Sequence, residues 1–515
     1  MPHVVTQACC GDASCVYACP VNCIHPTPEE PDFGIAEMLY IDPSTCVDCG
    51  ACVSACPVGA IVPGHRLTPE QTRYAEINAA AYGENVADAA RFPVDPARRL
   101  PLAPIDKPRR LETAAPVSVG IVGSGPSAMY AADELLRQPQ VRVTIYERLS
   151  RPFGLARYGV APDHRSTRRI MELFDEMARN PRLDILLDTQ VGRDLTLDDV
   201  RARHNAVLWA GGAPTDRRLA IPGADLAGVR SATSFVGWYN GHPDFADIDV
   251  DLDTETAVVI GNGNVALDVA RILTADRDAL ATTSIAPKAL DALRRSPIEE
   301  VVVLGRRGPA HAAFTLPELV GLVDSGASVV VDPADLETAG PAPTDDPTVA
   351  AKVGLLAEVA RRDPPAGRRI RLSFFSAPAA VESDASGAAA GVRIDRTEPA
   401  PDGISVLPTG ISETIPAGLV LTSIGYRGVA VPGLPFDESR GIIPNDGGRI
   451  VVDGEPTPGL YVTGWIKRGP TGFIGTNKTD SGETVAALLD DLDAGLLGDT
   501  AASGGRVRRL ASRFR

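Results

Sequence analysis

Along residues 117–147 an apolar run, VSVGIV, gives way to the small-residue turn GSGPSA, then to a helical stretch and to VRVTIYE. That order predicts a buried strand, a tight turn, a helix and a second strand. It returns at 256–273, where TAVVI runs into GNGNVA and the helical LDVARIL. The strand that should follow, EEVVVLGRRGP, arrives late, after a segment at 275–297 that reads as helical. A last strand, GLYVTGW, leads through a glycine-rich turn into a helix expected to begin near Thr479 to Glu483. The front of the chain lacks such long runs. The expected fold class is an α+β front domain followed by α/β, with two dinucleotide-binding (Rossmann-like) domains.

The turns carry chemistry. Gly123, Gly125, Pro126 and Ala128 form G-x-G-x-x-A between a strand and a helix. Such glycines let the backbone approach a pyrophosphate seated on the helix N-terminus. Glu147 closes the second strand, where a carboxylate binds ribose hydroxyls and disfavours a 2′-phosphate. This first site suits FAD or NAD. The second copy, with Gly261, Gly263, Asn264, Val265 and Ala266, has Arg306 and Arg307 at the corresponding strand end. Two guanidiniums there match a 2′-phosphate in charge and fork geometry. One FAD site and one NADP(H) site imply hydride transfer between nicotinamide and flavin. The late strand and helix return to the first domain, so the NADP domain is expected to be inserted into the FAD domain. That helix's N-terminus would favour an anionic reduced flavin through its positive dipole end.

Cysteine adds a second kind of cofactor. Cys46, Cys49, Cys52 and Cys56 fall within twelve residues and precede Pro57. Cysteines so close on one loop do not pair easily, and no secretory signal is legible. Structural zinc draws two ligands from each of two separated knuckles. The run C-x2-C-x2-C-x3-C-P is instead that of an iron–sulfur site whose fourth cysteine serves a second cluster. The reciprocal motif exists with one change: Cys9, Asp12, Cys15, Cys19 and Pro20. Cys46, Cys49, Cys52 and Cys19 would hold a 4Fe–4S cluster. Cys9, Cys15 and Cys56 would hold the other, with Asp12 as a candidate fourth ligand. A carboxylate is harder than a thiolate, so that cluster is expected as 3Fe–4S or as a labile 4Fe–4S. Cys10 and Cys23 read as small buried thiols, and Cys10 competes with Cys9 as ligand.

Length and charge narrow the partners. The 515 residues allow about three domains. No apolar run reaches membrane-spanning length. A formal net charge of −16 argues against nucleic acid. Residues 1–64 contain seven Asp or Glu and no Lys or Arg, which suits either docking on a basic partner or plain solvation. Residues 95–116 are rich in Pro and Arg and read as a linker or strap. The expected domains are 1–64, iron–sulfur; 65–115, helical extension and linker; 116–215, FAD; 216–430, NADP; and 431–515, FAD again, ending in a basic tail.

RPFGLARYGVAPDH, VVIGNGNVALDVARIL, LGRRGP, AAFTLPEL and GWIKRGPTGFIGTNK together resemble the adrenodoxin-reductase type of ferredoxin–NADP reductase. The resemblance covers about 116–500, and the front 64 residues resemble bacterial two-cluster ferredoxins. The whole resembles the ferredoxin-fused ferredoxin–NADP reductases. The family implies that Glu147, Leu155, Val191 and Trp465 touch FAD, with the turn Gly472, Phe473 and Ile474 around its ring. Gly263, Asn264 and Val265 would cradle the NADP pyrophosphate. Arg217 would reach a phosphate of NADP, and Arg306 and Arg307 the 2′-phosphate. Glu318 and Gly472 would line the nicotinamide side, with His164 at the flavin–nicotinamide junction. His164 and Glu318 are the candidate catalytic residues. Some relatives carry a second acid where this chain has Gly321, so His164 reads equally as a structural hydrogen-bonder.

The implied activity is NADPH-dependent reduction of a ferredoxin or of another one-electron acceptor, such as a haem monooxygenase, or the reverse. The cytoplasm is the expected compartment. A glutamate-synthase-like small subunit is the alternative, but its usual GG-L-x-x-YGIP is here FGLARYGVAP. A non-catalytic redox sensor would not need the NADP site.

Overall fold

A computed structural model describes residues 2–83, 102–103, 109–340, 346–363 and 366–498. Most of the 95–116 strap, residues 84–94 of the expected helical extension and the basic tail lie outside the described residues.

The front unit is a two-fold repeat of short elements. Strand His3–Val5 pairs antiparallel with Ile61–Pro63, and Ile24–His25 with Tyr40–Ile41. Each cysteine loop ends in a five-residue helix, Ser14–Ala18 or Ala51–Ala55, entered through a left-handed residue, Ala13 or Gly50. Each helix is stopped by a cysteine in extended conformation, Cys19 or Cys56, both at φ −77°. The following Pro20 and Pro57 enforce this, because proline drives the preceding residue out of the helical region. The helix Thr72–Ala80 closes the unit and buries Tyr74 and Asn78. Asn78 Oδ1 accepts from the backbone N–H of Val5 at 3.2 Å and of Ile41 at 2.9 Å, joining the two ladders.

A seven-stranded sheet follows, in the order Asn445–Asp446, Arg449–Val452, Glu455–Val462, Ala206–Trp209, Val117–Val122, Val141–Tyr146, Leu183–Leu186. The last five strands are mutually parallel. Ala206–Trp209 is buried throughout, as a parallel strand covered on both faces must be. Helix Pro126–Leu136 lies on this sheet, and helix Thr476–Asp493 packs beside it. The latter begins three residues before Thr479, with Thr476 Oγ1 accepting from Phe473 N–H at 2.9 Å.

Between the two halves of that sheet the chain builds a second one. Its six strands are all parallel, in the order Val229–Ser231, Leu419–Thr422, Thr256–Ile260, Glu300–Leu304, Arg369–Ser373, Ser328–Val331. The chain enters and leaves this inserted unit through one short ladder, Thr215–Asp216 against Tyr426–Arg427. Segment 275–297 is helical as expected, as Arg277–Ala281 and Pro287–Arg295. A three-stranded antiparallel meander at 376–416 was not legible beforehand. Its outermost strand, Val406–Pro416, has polar and apolar residues alike facing solvent, so no apolar face announces it.

The front unit touches both sheets. Val4, Val5 and Tyr74 share a core with the inserted unit, while Cys10, Val58 and Ala60 share one with the seven-stranded sheet.

Candidate functional site

The two glycine loops are close copies. Gly123 and Gly261 sit at φ +98° and +107°. A Cβ on Gly123 would come within 2.6 Å of the Ala210 carbonyl oxygen, and one on Gly261 would run into that of Ser423. Glycine is therefore required at both. Gly125 and Gly263 are the residues preceding the two helices, and a Cβ there would meet nothing within 4 Å. Neither helix, Pro126–Leu136 or Asn264–Thr274, has a side-chain cap at its N-terminus. Open backbone N–H groups facing open space fit a pyrophosphate at each.

The strand ends then diverge. Glu147 is buried, and its Oε2 accepts from the N–H of Ser124 in the glycine loop at 3.0 Å. Its other oxygen accepts from Leu149 N–H at 2.8 Å. Arg306 is exposed and Arg307 half-buried, and neither guanidinium has a hydrogen-bond or ion-pair partner among the described residues. Arg217 is likewise exposed, beside Gly425.

Three ionisable groups meet between the sheets. His164 Nε2 lies 3.3 Å from Asp268 Oδ1 and 3.5 Å from Glu318 Oε1. Arg271 bonds the carboxylates of Asp163 and Asp268. Burial alone would push the His164 imidazole down, but the Asp268 and Glu318 carboxylates outweigh it and hold it above its ordinary value. Glu318 Oε1 and Asp163 Oδ1 are buried without a hydrogen-bond partner. Orphaned buried acceptors are costly, and they fit a site completed by a bound group. Asn264 Oδ1 accepts from Thr315 N–H at 2.8 Å, which ties the second glycine loop to the helix Leu316–Asp324 that carries Glu318.

The glycine-rich turn at 464–475 is anchored from the helix that follows it. Buried Asp480 accepts from Gly464 N–H at 2.6 Å and from Thr463 Oγ1 at 2.9 Å, and pairs with Lys467 Nζ at 3.1 Å. Trp465 donates its Nε1–H to Thr471 O at 3.1 Å and lies 5.0 Å from the Tyr426 ring. Val191 is buried in the adjoining core, whereas Leu155 is exposed. Phe473 and Ile474 are half-buried and Gly472 is exposed.

All nine cysteines are free thiols. Cys19, Cys46, Cys49 and Cys52 line one cavity, together with Cys23 and His3. This is the outer site, and Cys49 is exposed. The Cys23 thiol lies 3.4 Å from Cys19 Sγ, and this contact lowers Cys19 below the ordinary thiol range. Cys9, Cys10, Cys15 and Cys56 act on one another electrostatically at the inner site, along with Asp12, so Cys9 and Cys10 are both within reach of it. There burial pushes Cys9 up to about 11. Cys56 Sγ accepts from Ala60 N–H at 3.2 Å, just as Cys19 Sγ accepts from Cys23 N–H at 3.3 Å. The donor sets fit two clusters with crossed fourth cysteines.

Asp12 is buried but engaged. Its carboxylate accepts from the Ser14 hydroxyl and lies 3.6 Å from Lys478 Nζ. Lys478 also donates to Asp12 O at 3.1 Å and to Ser14 Oγ at 3.0 Å. The N–H of Gly475 donates to Cys10 O at 2.7 Å. A Cβ on Gly475 would run into the Gly11–Asp12 backbone. The inner loop is thus seated on the turn that leads into helix Thr476–Asp493.

Two models of a 4Fe–4S dicluster domain match residues 8–60 and 38–92, and one of an NAD(P)-binding Rossmann-like domain matches 121–188. A probable ferredoxin/ferredoxin–NADP reductase of Mycobacterium tuberculosis is 52% identical over 98% of this chain and 86% of its own. The chain belongs to the ferredoxin/ferredoxin–NADP reductase family. NADPH:adrenodoxin oxidoreductase of Homo sapiens is 43% identical over 73% of this chain and 79% of its own. The solved structure of Mycobacterium tuberculosis FprA in complex with NADPH superposes with a TM-score of 0.70 at 45% identity, covering 74% of this chain and 85% of that one.

In this ferredoxin–NADP reductase the structure brings His164 to Glu318, places Cys19 with Cys46, Cys49 and Cys52, and gathers Cys9, Cys10, Cys15 and Cys56 near Asp12. Sequence reasoning missed Asp268, Arg271, Asp480, Lys478 and Gln7. An acid and an arginine at i and i+3 inside the apolar run VALDVARIL were a usable signal for the first pair. No local signal marked Lys478 or Gln7, whose partners lie over 300 residues away.

Proposed function

We propose that this ferredoxin–NADP reductase relays electrons between NADP(H) and a ferredoxin through its own iron–sulfur unit, by way of the inner and then the outer site. FAD, when bound, supplies the exchange between the hydride of NADPH and the single electrons that clusters take. The seating of the inner loop on the flavin-side turn, through Gly475, Cys10, Lys478 and Asp12, carries the reading. The outer cavity is lined only by residues of the front unit.

The chain's residues divide the work. Glycine loops at 123–128 and 261–266 present open helix N-termini to the pyrophosphates of FAD and NADP. Glu147 selects against a 2′-phosphate, and Arg306 and Arg307, with Arg217, select for one. His164, Asp268 and Glu318 form a charged, mostly buried edge against which the nicotinamide is positioned. The inner cluster is 3Fe–4S, because Ser14 and Lys478 hold the Asp12 carboxylate and leave three thiolates. The acceptor presents a basic face to the acidic front unit. A cytoplasmic setting suits nine free thiols, and no helix of the described residues is long and apolar enough to cross a membrane.

The test is NADPH-driven reduction of an added ferredoxin, with Arg306→Ala and Arg307→Ala beside wild type. Each variant is expected to raise KM for NADPH about tenfold while leaving NADH unchanged. If wild type drives no one-electron acceptor from NADPH, the proposal is wrong.

A further inference from the structure

Gly321 lies one turn after Glu318 on the helix Leu316–Asp324, and the structure shows what stands above it. A Cβ on Gly321 would fall inside the side-chain amide of Gln7. Gln7 belongs to the iron–sulfur unit, two residues before Cys9. Its Nε2–H donates to Glu318 Oε2 at 3.3 Å. The other oxygen of Glu318 is the buried, unpartnered one that faces His164 at 3.5 Å.

Gln7 is not an isolated contact. Glu37 Oε2 accepts from Leu316 N–H at 2.6 Å, and Tyr74 OH donates to Pro317 O at 2.8 Å. Arg73 pairs with Asp324 at 3.5 Å and with Glu358 at 3.1 Å. The iron–sulfur unit therefore holds Leu316, Pro317 and Glu318 one after another, at the first turn of the helix. A side chain at 321 would displace the Gln7 amide and break its contact with Glu318.

We propose that Gln7 is a positioning residue of the nicotinamide site: its amide occupies the space above Gly321 and fixes the Glu318 carboxylate with one oxygen turned to His164. The fused iron–sulfur unit is then a structural part of the hydride-transfer site as well as an electron acceptor. Among the described residues Gln7 makes no hydrogen bond to His164 or to the glycine loop at 261–266, so its action on the site runs through Glu318. This inference rests on the reading of the site as one for NADP(H).

The experiment is a double-mutant cycle of Gln7→Ala and Gly321→Ala in the full-length holoenzyme, with Gln7→Ala/Gly321→Gln as the rescue variant. Flavin reduction by NADPH is followed by stopped flow, which needs no turnover of the clusters. Binding of NADP+ and of 2′,5′-ADP is measured by perturbation of the flavin spectrum. Loss of a hydrogen bond to a charged group predicts hydride transfer slowed about tenfold in Gln7→Ala. Gly321→Ala expels the Gln7 amide and is expected to reproduce that loss, with no further loss in the double variant. NADP+ affinity falls, while 2′,5′-ADP, which has no nicotinamide, binds as in wild type. Gly321→Gln in the Gln7→Ala background returns an amide to the same space and restores the rate. Unchanged hydride transfer in both single variants, additive losses, or an equal fall in 2′,5′-ADP affinity would each overturn the proposal. Wild-type flavin that NADPH fails to reduce would instead refute the assigned function, while the binding comparison would still report on Gln7.

Discussion

Gly11, Asp12 and Ala13 lead into the first cluster helix along the same path as Asp48, Cys49 and Gly50 into the second. Gly11 and Ala13 sit at φ +69° and +58°, Asp48 and Gly50 at +56° and +75°. The helices that follow end alike, at Cys19 and Cys56, under the same proline constraint. What differs is the surroundings. Cys49 is exposed, beside a Val47 that is 57% exposed. Asp12, at the matching position, is buried and bound to Ser14 and Lys478. The comparison teaches that a duplicated ligand loop can keep its backbone while neighbouring domains reassign its chemistry. At the loop that meets the flavin unit, the fourth ligand position carries a carboxylate held by a lysine of that unit.

Cutting the two sites separately breaks the comparison most severely. Cys15→Ser at the inner site and Cys52→Ser at the outer are both expected to lower NADPH-driven ferredoxin reduction on the order of 100-fold, since each removes the tethered acceptor. Ferricyanide, which takes electrons at the flavin, should still be reduced by both. The variants differ in what NADPH reduces: the inner cluster in Cys52→Ser, neither cluster in Cys15→Ser. An outer cluster reduced normally in Cys15→Ser would reverse the assigned order.

Asp12→Cys makes the two loops alike. It should add one iron per chain and remove the EPR signal of an oxidised 3Fe–4S cluster. An unchanged iron count would show that something other than ligand chemistry limits the inner site.

Lys478→Met tests the holding of Asp12 more gently. Removing the partly exposed lysine leaves the buried Asp12 carboxylate without its cation and is expected to cost about 1–2 kcal/mol of stability, read in thermal unfolding. The freed carboxylate should then raise the iron content part-way towards that of Asp12→Cys. Full wild-type iron with reduced stability would leave Lys478 a purely structural contact.

The smallest effect expected is kinetic. A chelator under mild oxidation should strip the outer cluster a few-fold faster than the inner, because Cys49 is exposed and Cys15 is buried. Equal rates would mean that the seating on the flavin unit does not protect the inner cluster.

Much of this was legible in sequence because it is local. The crossed cysteine sets follow from spacing and proline, and both glycine loops from strand–turn–helix order. Glu147 and the Arg306–Arg307 pair follow the two strands that their sequence positions indicate. What stayed hidden is what the fold brings together from far away. Gln7 reaches Glu318 across 311 residues, and Lys478 reaches Asp12 across 466. Gly321 could be seen only as a departure until the structure placed Gln7 over it. The meander at 376–416 was missed because its solvent-facing edge carries no alternation to detect.

The relay itself is tested most directly by titrating the anaerobic holoenzyme with NADPH, recording the visible spectrum and low-temperature EPR together. The predicted result is bleaching of the flavin with loss of the oxidised 3Fe–4S signal or appearance of a reduced-cluster signal, in a yield independent of protein concentration. Bleaching of the flavin with both clusters left oxidised would contradict electron flow from NADPH into the front unit.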